Sequence, residues 1–208
     1  MTAHKPIVQK FAPLARKLLP GDTEELARFL IGKLVVRALP AGLAAGRIVE
    51  TEAYLSGDEA SHAFRGMTAR NRVMFGPKGY AYVYLIYGMY YALNVSSGAE
   101  DVGEAVLVRA CEPVLGLDAM RHYRGEIPER DLMRGPGRLA MALDIDRGLD
   151  GTDLCAPGPL WLSCDGREPA ECAISTRIGI TRDAHRPLRF FVKGSRYVSG
   201  PASLNRGI

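Results

Sequence analysis

Two carboxylates and a phenol alternate with other residues in the run Arg47-Ile48-Val49-Glu50-Thr51-Glu52-Ala53-Tyr54. The run reads as a strand, and strand alternation sends Glu50, Glu52 and Tyr54 to the same side. Side chains two residues apart on a strand lie roughly 7 Å from each other, a spacing that permits acid and base work at the anomeric carbon of a sugar. The plain alternative is an exposed polar face on an edge strand. Three features elsewhere in the chain weigh against it: a loop bearing His62, a segment crowded with tyrosines, and Arg109 placed among apolar strand residues. An unpaired charge in such a strand is costly.

The tyrosines cluster in Gly79-Tyr-Ala-Tyr-Val-Tyr-Leu-Ile-Tyr-Gly-Met-Tyr-Tyr-Ala-Leu-Asn-Val95. Tyr80, Tyr82 and Tyr84 share one strand face, and Val83 and Leu85 take the other. Tyr87-Gly88-Met89 breaks the alternation before a second β-rich run, which predicts a hairpin over residues 80–97 with Tyr87 near its tip. A ring at a hairpin tip has little core to enter. It serves as an anchor for something outside the protein or as a local lid, and for nucleic acid as a wedge between bases.

The elements that must position these groups follow from spacing. Asp22 stands three residues ahead of Glu25, a helix-start signature, and Leu26, Phe29, Leu30 and Leu34 recur at helical spacing. Strands are expected at 35–37 and 46–54 around a Pro40-Ala41-Gly42 turn, and again at 104–111 with Ala105, Leu107 and Arg109 on one parity. Residues 55–78 lack apolar periodicity and form a long loop, a kind of segment that tends to be functional. A basic amphipathic helix follows Pro113, with Leu117 and Met120 inward. Gly135-Pro136-Gly137-Arg138 opens a short helix through Leu143, a candidate phosphate seat. Short strands are expected around Trp161, around Ile178 and Ile180, and over 188–193. The fold class is α+β: a single mixed domain over residues 18–208 with a curved, mainly antiparallel sheet, helices around it and a protruding hairpin, preceded by a mobile segment at 1–17.

At 208 residues, 47% hydrophobic and 24% charged, the chain supports one sizeable core and excludes disordered and collagen-like classes. No apolar run approaches a membrane span, and the first residues lack the apolar stretch of a secretory signal, so the expected location is cytoplasmic. A net charge of +4 agrees with a polyanionic partner. Arg65, Arg70, Arg72 and Lys78 form one basic stretch, and Arg121, Arg124, Arg130, Arg134 and Arg138 another, either of which faces phosphates or solvent. Cys111, Cys155, Cys164 and Cys172 show no metal-ligand spacing and read as free thiols, with Cys111 in the core.

Several blocks together resemble the alkyladenine (3-methyladenine) DNA glycosylases, in the manner of a bacterial-type member. They are Val-Glu-Thr-Glu-Ala-Tyr at 49–54, Thr-Ala-Arg-Asn-Arg at 68–72, Tyr-Val-Tyr-Leu-Ile-Tyr-Gly-Met-Tyr at 82–90 and Leu-Val-Arg-Ala-Cys-Glu-Pro at 107–113. Gly-Pro-Gly-Arg-Leu at 135–139 and Pro-Leu-Arg-Phe-Phe-Val-Lys-Gly at 187–194 extend the likeness to nearly the whole chain after residue 18. The resemblance implies hydrolysis of the N-glycosidic bond of alkylated or deaminated purines flipped out of double-stranded DNA, leaving an abasic site. Glu52 then matches the general base, Arg109 the residue that helps hold the attacking water, and the backbone carbonyl near Ile178 a third water contact. Tyr54, His62 and Tyr84 match the aromatic pocket, backbone groups at Ala60 and His62 the readers of the purine edge, and Asn94 the side chain that crowds the amine of normal guanine. Tyr87 matches the wedge, assisted by Met89, and Thr68, Arg70, Arg72, Gly137 and Arg138 fall in blocks expected at the DNA backbone. The loop between Tyr54 and His62 is one residue shorter than in mammalian members, which bears on pocket depth and lesion range. Tyr82, Tyr90 and Tyr91 are expected to be structural.

No lysine occupies the Glu50–Tyr54 face or the hairpin, so a monofunctional enzyme without lyase activity is expected. No metal or other cofactor is needed, since a carboxylate activates the water. No membrane and no obligate protein partner are expected, and the protein is expected to be a monomer. Two other readings stay open: a non-catalytic nucleic-acid-binding module, which needs no Glu52, and a carbohydrate glycosidase using Glu50 and Glu52 as a pair.

Overall fold

Asp22 starts the first helix as its spacing from Glu25 implies: its side chain accepts the Glu25 N–H at 2.9 Å, and helix α1 runs Thr23–Leu30 with Leu26, Ala27 and Leu30 buried. The structure, a computed structural model, describes residues 11–167 and 171–207. Leu34, expected on the helix stripe, instead begins strand β1 (Leu34–Leu39), because the chain leaves the helix at Ile31-Gly32 with Gly32 at φ 84°. Strand β2 (Gly42–Tyr54) starts four residues before the expected 46, since the hairpin with β1 pairs all the way to Leu39↔Gly42.

The remaining strands are β3 (Ala81–Ile86), β4 (Tyr90–Ser96), β5 (Ala105–Leu115), β6 (Leu160–Ser163), β7 (Cys172–Ser175) and β8 (Arg189–Val192). Among the described residues they make one antiparallel sheet in the order β3-β4-β5-β2-β1-β6, with β8 also on β2 and β7 on β8. Helices α2 (Leu117–Arg124) and α3 (Pro136–Ala142) complete a single α+β domain, so the expected class holds. Cys111 is fully buried in the main core, and all four cysteines are free thiols.

Two expectations are corrected. Ile178 and Ile180 lie in a loop, not a strand, and β7 just before them, over Cys172–Ser175, carries no strong alternation to reveal it. Within the segment expected to be mobile, residues 1–10 fall outside the described residues, but residues 11–17 are pinned. Trp161 Nε1 donates to the Phe11 carbonyl at 2.7 Å, Ser163 Oγ to the Ala12 carbonyl at 2.8 Å, and Leu14 is buried. No helix among the described residues is long and apolar enough to cross a membrane.

β2 is the spine of the molecule. It pairs with β5 on one side along residues 45–54, and with β1 and then β8 on the other. A strand enclosed on both edges and both faces has no solvated side, which is why Glu50, Thr51 and Glu52 are all fully buried. The edge-strand alternative for these carboxylates is therefore wrong.

Candidate active site

Two irregularities in the β2–β5 ladder aim the charged groups. Pairing steps from Ile48↔Cys111 to Glu50↔Ala110 and then to Thr51↔Val108, so Val49 is the extra residue on β2 and Arg109 the extra residue on β5. A bulge leaves its residue unpaired and reverses which parity faces the core. That reversal is visible: Ile48 and Ala53 join the same core cluster across the first bulge, as do Val108 and Cys111 across the second. Past Val49, Thr51 turns to α1, where its hydroxyl donates to the Ala27 carbonyl at 2.9 Å, while Glu50 and Glu52 turn to Arg109.

Glu52 is held by three groups. Oε1 accepts the Ile178 N–H at 2.8 Å, and Oε2 accepts the Tyr54 hydroxyl at 3.0 Å and faces Arg109 Nη1 at 3.4 Å. Burial raises the Glu52 carboxyl above the ordinary carboxylate range, and Arg109 and the Ile178 amide act against that rise by favouring the anion. The Tyr54 phenol is pushed up by burial and by the neighbouring Glu52 charge, so it remains a proton donor. The resemblance gives the carbonyl near Ile178 a contact to the attacking water; the Ile178 amide, in addition, bonds Glu52 directly.

Tyr54, Arg109 and Ile178 also line a cavity of about 160 Å³, and Glu52 sits immediately behind that wall with no exposure of its own. His62, Tyr84, Ala60, Asn94 and Tyr87 line the same cavity, so residues far apart in sequence converge there. His62 packs edge-on to Tyr84 with ring centres 4.3 Å apart, and Tyr84 stacks on Tyr82 at 5.2 Å. Burial, together with the Arg70 charge, lowers the His62 imidazole, and burial with the Glu52 charge pushes Tyr84 up to about 12. The wall is therefore built of neutral rings near neutral pH. Asn94 is buried and donates to the Tyr82 carbonyl at 3.2 Å.

Tyr82 was expected to be structural only. It lines the cavity, and its hydroxyl shares a hydrogen bond with His62 Nδ1 at 2.9 Å. Its parity with Tyr84 was the available signal. The Ala60 N–H donates to Asp58 Oδ1 at 3.0 Å, and the His62 carbonyl accepts from Asn71 Nδ2 at 2.8 Å. Asp58 and Arg177, which sequence reading passed over, form a fully buried ion pair. Arg177 lies over the Tyr54 ring at 4.7 Å and donates to the Ala53 carbonyl at 3.0 Å, tying the Tyr54–His62 loop to the Ile178 loop. Nothing local marks this pair, since its members are more than a hundred residues apart.

The hairpin tip stands out into solvent. Tyr87 is 85% exposed and Met89 67% exposed. Tyr87, Gly88 and Met89 join the paired Ile86 and Tyr90, with Tyr87 and Gly88 at φ 51° and 71°, conformations natural for Gly but strained for Tyr. Gly137 and Arg138 line a second cavity of about 480 Å³ that shares Tyr87, Arg109 and Pro136 with the first. Arg70 and Arg72 are exposed, Arg70 lying 5.8 Å over the Tyr84 ring, and Thr68 bonds to Asn71 Oδ1 through both its N–H and its hydroxyl.

The basic stretches are less free than their composition implied. Lys78 Nζ donates to the Leu19 carbonyl at 2.7 Å, Arg124 Nε to the Leu132 carbonyl at 3.2 Å, and Arg134 Nε to the Val198 carbonyl at 2.8 Å. Asp131 gathers Arg130, Arg134 and Arg138 at 3.3, 3.8 and 3.3 Å. Among the described residues no cluster of three or more His, Cys, Asp or Glu side chains is placed to hold a metal ion.

The site thus sets a buried carboxylate behind a wall of aromatic rings, under an exposed aromatic tip. Comparison with known proteins gives the class its name. Residues 17–196 match the model of the methylpurine-DNA glycosylase (MPG) family, and the chain belongs to that family of DNA-repair glycosylases. Similar proteins include one from Mesorhizobium japonicum, 62% identical over 92% of each chain, and one from Paraburkholderia phytofirmans, 52% identical over 92% of this chain and 90% of its own. A third, from Methanoculleus marisnigri, is 52% identical over 86% of this chain and 94% of its own. All three bear the name "Putative 3-methyladenine DNA glycosylase".

Proposed function

We propose that this protein flips alkylated or deaminated purine nucleotides out of duplex DNA and hydrolyses their N-glycosidic bond with water activated by Glu52. The observation that carries the reading is the Glu52 carboxylate, fully buried and held by three residues that themselves wall the aromatic cavity. A flipped purine stacks between the rings of Tyr54, His62 and Tyr84, and a cationic alkylated base gains an added attraction from their faces. Asn94 crowds the exocyclic amine of normal guanine. With the anomeric carbon over the wall formed by Tyr54, Arg109 and Ile178, Glu52 accepts a proton from water as the water oxygen bonds to the anomeric carbon; the N-glycosidic bond breaks through a sugar of positive character, and its electron pair leaves with the purine, which departs neutral when it was a cationic alkylated base. Arg109 keeps the carboxylate charged and helps hold the water.

Tyr87 fills the vacated place in the base stack, with Met89 beside it. Arg70, Arg72, Thr68, Gly137 and Arg138 contact the strand backbone on either side of the extruded nucleotide. The carbohydrate glycosidase alternative needs Glu50 as a second acid or base. Glu50 has no exposure and is bonded to Arg189 at 2.6 Å and to the Ser199 amide at 2.7 Å, so it is unavailable for proton transfer to a substrate.

The enzyme is monofunctional, since no lysine among the described residues lines the cavity to form a Schiff base. It needs no metal or cofactor, and one chain supplies every residue of the site, so a monomer suffices. Its place is the cytoplasm, with the chromosome. The test is a base-release panel on duplexes carrying 3-methyladenine, 7-methylguanine, ethenoadenine or hypoxanthine, with unmodified adenine and guanine as controls, in the presence of chelator. Release of at least one damaged base with the controls untouched is expected; no release from any duplex overturns the reading. Borohydride should trap no covalent protein–DNA adduct, and an adduct refutes the monofunctional assignment.

A further inference from the structure

The residues that hold Glu52 are themselves held by a stretch that lies beyond the 17–196 matched to the family, namely residues 199–205. Ser199 Oγ accepts Arg109 Nε at 3.1 Å, while the Ser199 N–H donates to Glu50 Oε2 at 2.7 Å. Next to it, Gly200 abuts Ile178 so closely that a Cβ there would fall 2.5 Å from Ile178 Cδ1. The stretch therefore touches both Arg109 and Ile178, two of the three groups on the Glu52 carboxylate.

Arg189 clamps this stretch in place. Its guanidinium has five N–H groups, and all find acceptors: Glu50 Oε1 at 2.6 Å, Ser175 Oγ at 2.7 Å, the Leu204 carbonyl at 3.0 Å, the Ser199 carbonyl at 3.3 Å and Asn205 Oδ1 at 2.6 Å. Three of the five belong to residues 199–205. Arg189 is fully buried and stacked over Phe191 at 4.5 Å, so its geometry is fixed. The charge arrangement explains why two arginines are needed. Glu50 lies 3.3 Å from Arg109 and competes with Glu52 for it; with Arg189 on Glu50, Arg109 is left to serve Glu52.

We propose that residues 199–205 are a positioning element of the active site, in which Ser199 and Gly200 fix Arg109 and Ile178 against Glu52 while Asn205 and Leu204 hold the Arg189 clamp. This rests on Glu52 being the base. The charged and titratable groups facing Glu52 are Glu50 and Tyr54 from β2, Arg109 from β5 and Tyr84 from β3, with Arg189 on β8 reaching it through Glu50 and Arg177 through Tyr54. Of these, Arg109 is the one that the Ser199 side chain bonds, while Glu50 and Arg189 meet its backbone.

The test is Ser199→Ala in the full chain, which removes the acceptor for Arg109 and keeps the backbone amide on Glu50. Losing a hydrogen bond to a charged group is expected to slow single-turnover excision from a hypoxanthine duplex by about ten-fold or more. Binding to the same duplex should stay within about two-fold, and the acid limb of the pH–rate profile should move upward, since a loosened Arg109 favours the Glu52 anion less. Ser199→Thr, which restores a hydroxyl, should return both rate and acid limb toward wild type. Asn205→Ala should act in the same direction with a smaller, few-fold loss.

A Ser199→Ala protein with a lower melting temperature but wild-type rate and acid limb overturns the proposal, because that is the signature of a purely structural contact. Glu52→Gln run in parallel separates the two claims. If it is inactive while Ser199→Ala is unchanged, only the positioning role fails; if it retains wild-type excision, the assignment of the base fails.

Discussion

Glu50 and Glu52 are two residues apart on β2, equally buried and both in reach of Arg109, yet their surroundings differ in kind. Glu50 takes the Arg189 Nε at 2.6 Å and the Ser199 amide at 2.7 Å, in a region closed on all sides by β8 and residues 199–205. Glu52 takes one amide at 2.8 Å, a phenol at 3.0 Å and a guanidinium no nearer than 3.4 Å, and each of those donors opens onto the cavity. Burial raises the Glu52 carboxyl, and Arg109, the Ile178 amide and the Tyr54 hydroxyl act against that rise; a raised carboxyl beside a cavity is the property the proposed general base calls for. Two identical side chains thus stand in different surroundings, with a bulge at Val49 and another at Arg109 setting one arginine between them.

The comparison breaks most visibly at Glu52. Glu52→Gln keeps the shape of the side chain and is expected to lower single-turnover excision by about a thousand-fold or more, with lesion-duplex binding within a few-fold; rates within ten-fold of wild type would remove Glu52 from the mechanism. On the other side, Arg189→Met leaves Glu50 buried without its main counter-charge. A loss of about 3–5 kcal/mol in urea unfolding is expected, and a stability change under about 1 kcal/mol would show that the Glu50 region is not held by that pair.

Tyr87 sharpens the picture from outside both regions. Tyr87→Asn relieves a left-handed backbone that costs roughly 1 kcal/mol for an ordinary side chain, so the fold should gain slightly in thermal stability. The loss of a stacking ring should weaken capture of lesion duplex by about ten-fold, with a smaller loss on lesions in single strands. An unchanged flipping equilibrium removes the wedge assignment. The smallest expected effect is Tyr84→Leu, which removes one face of the cavity. Excision of cationic 7-methylguanine should fall about three-fold more than that of neutral hypoxanthine, and equal losses on the two lesions would mean the rings act by shape alone.

The parts of this arrangement that were legible in the sequence are those carried by short-range pattern. Alternation placed Glu50, Glu52 and Tyr54 together, the Tyr87-Gly88 break located the hairpin tip, and Asp22 with Glu25 located α1. Ordered motif blocks brought Arg109, His62 and Ile178 into one hypothesis, and all three line the cavity or touch Glu52. What was hidden depends on partners distant in sequence. The Asp58–Arg177 pair and the clamp of Arg189 on Asn205 and Leu204 have no local signature, because a basic residue reads the same in sequence whether it meets solvent, phosphate, a carbonyl or a buried carboxylate. For the same reason Lys78, Arg124 and Arg134 were read as facing either phosphate or solvent, whereas their nitrogens hold backbone carbonyls. Tyr82 was set aside because aromatic strand residues usually pack, and its hydroxyl is reached by His62 only once the loop after Tyr54 folds back over the sheet.

The most direct test of the difference between the two carboxylates is the pH dependence of single-turnover excision, measured on one hypoxanthine duplex for wild type and for Glu52→Gln. A base must be ionised to act, so the wild-type rate should fall as pH drops through the Glu52 pKa, and the fall should begin above the ordinary carboxylate range because burial raises that group. The expected result is such an acid limb in wild type and a low residual rate without it in Glu52→Gln. An identical acid limb in both proteins would assign the titrating base to another group and contradict the account.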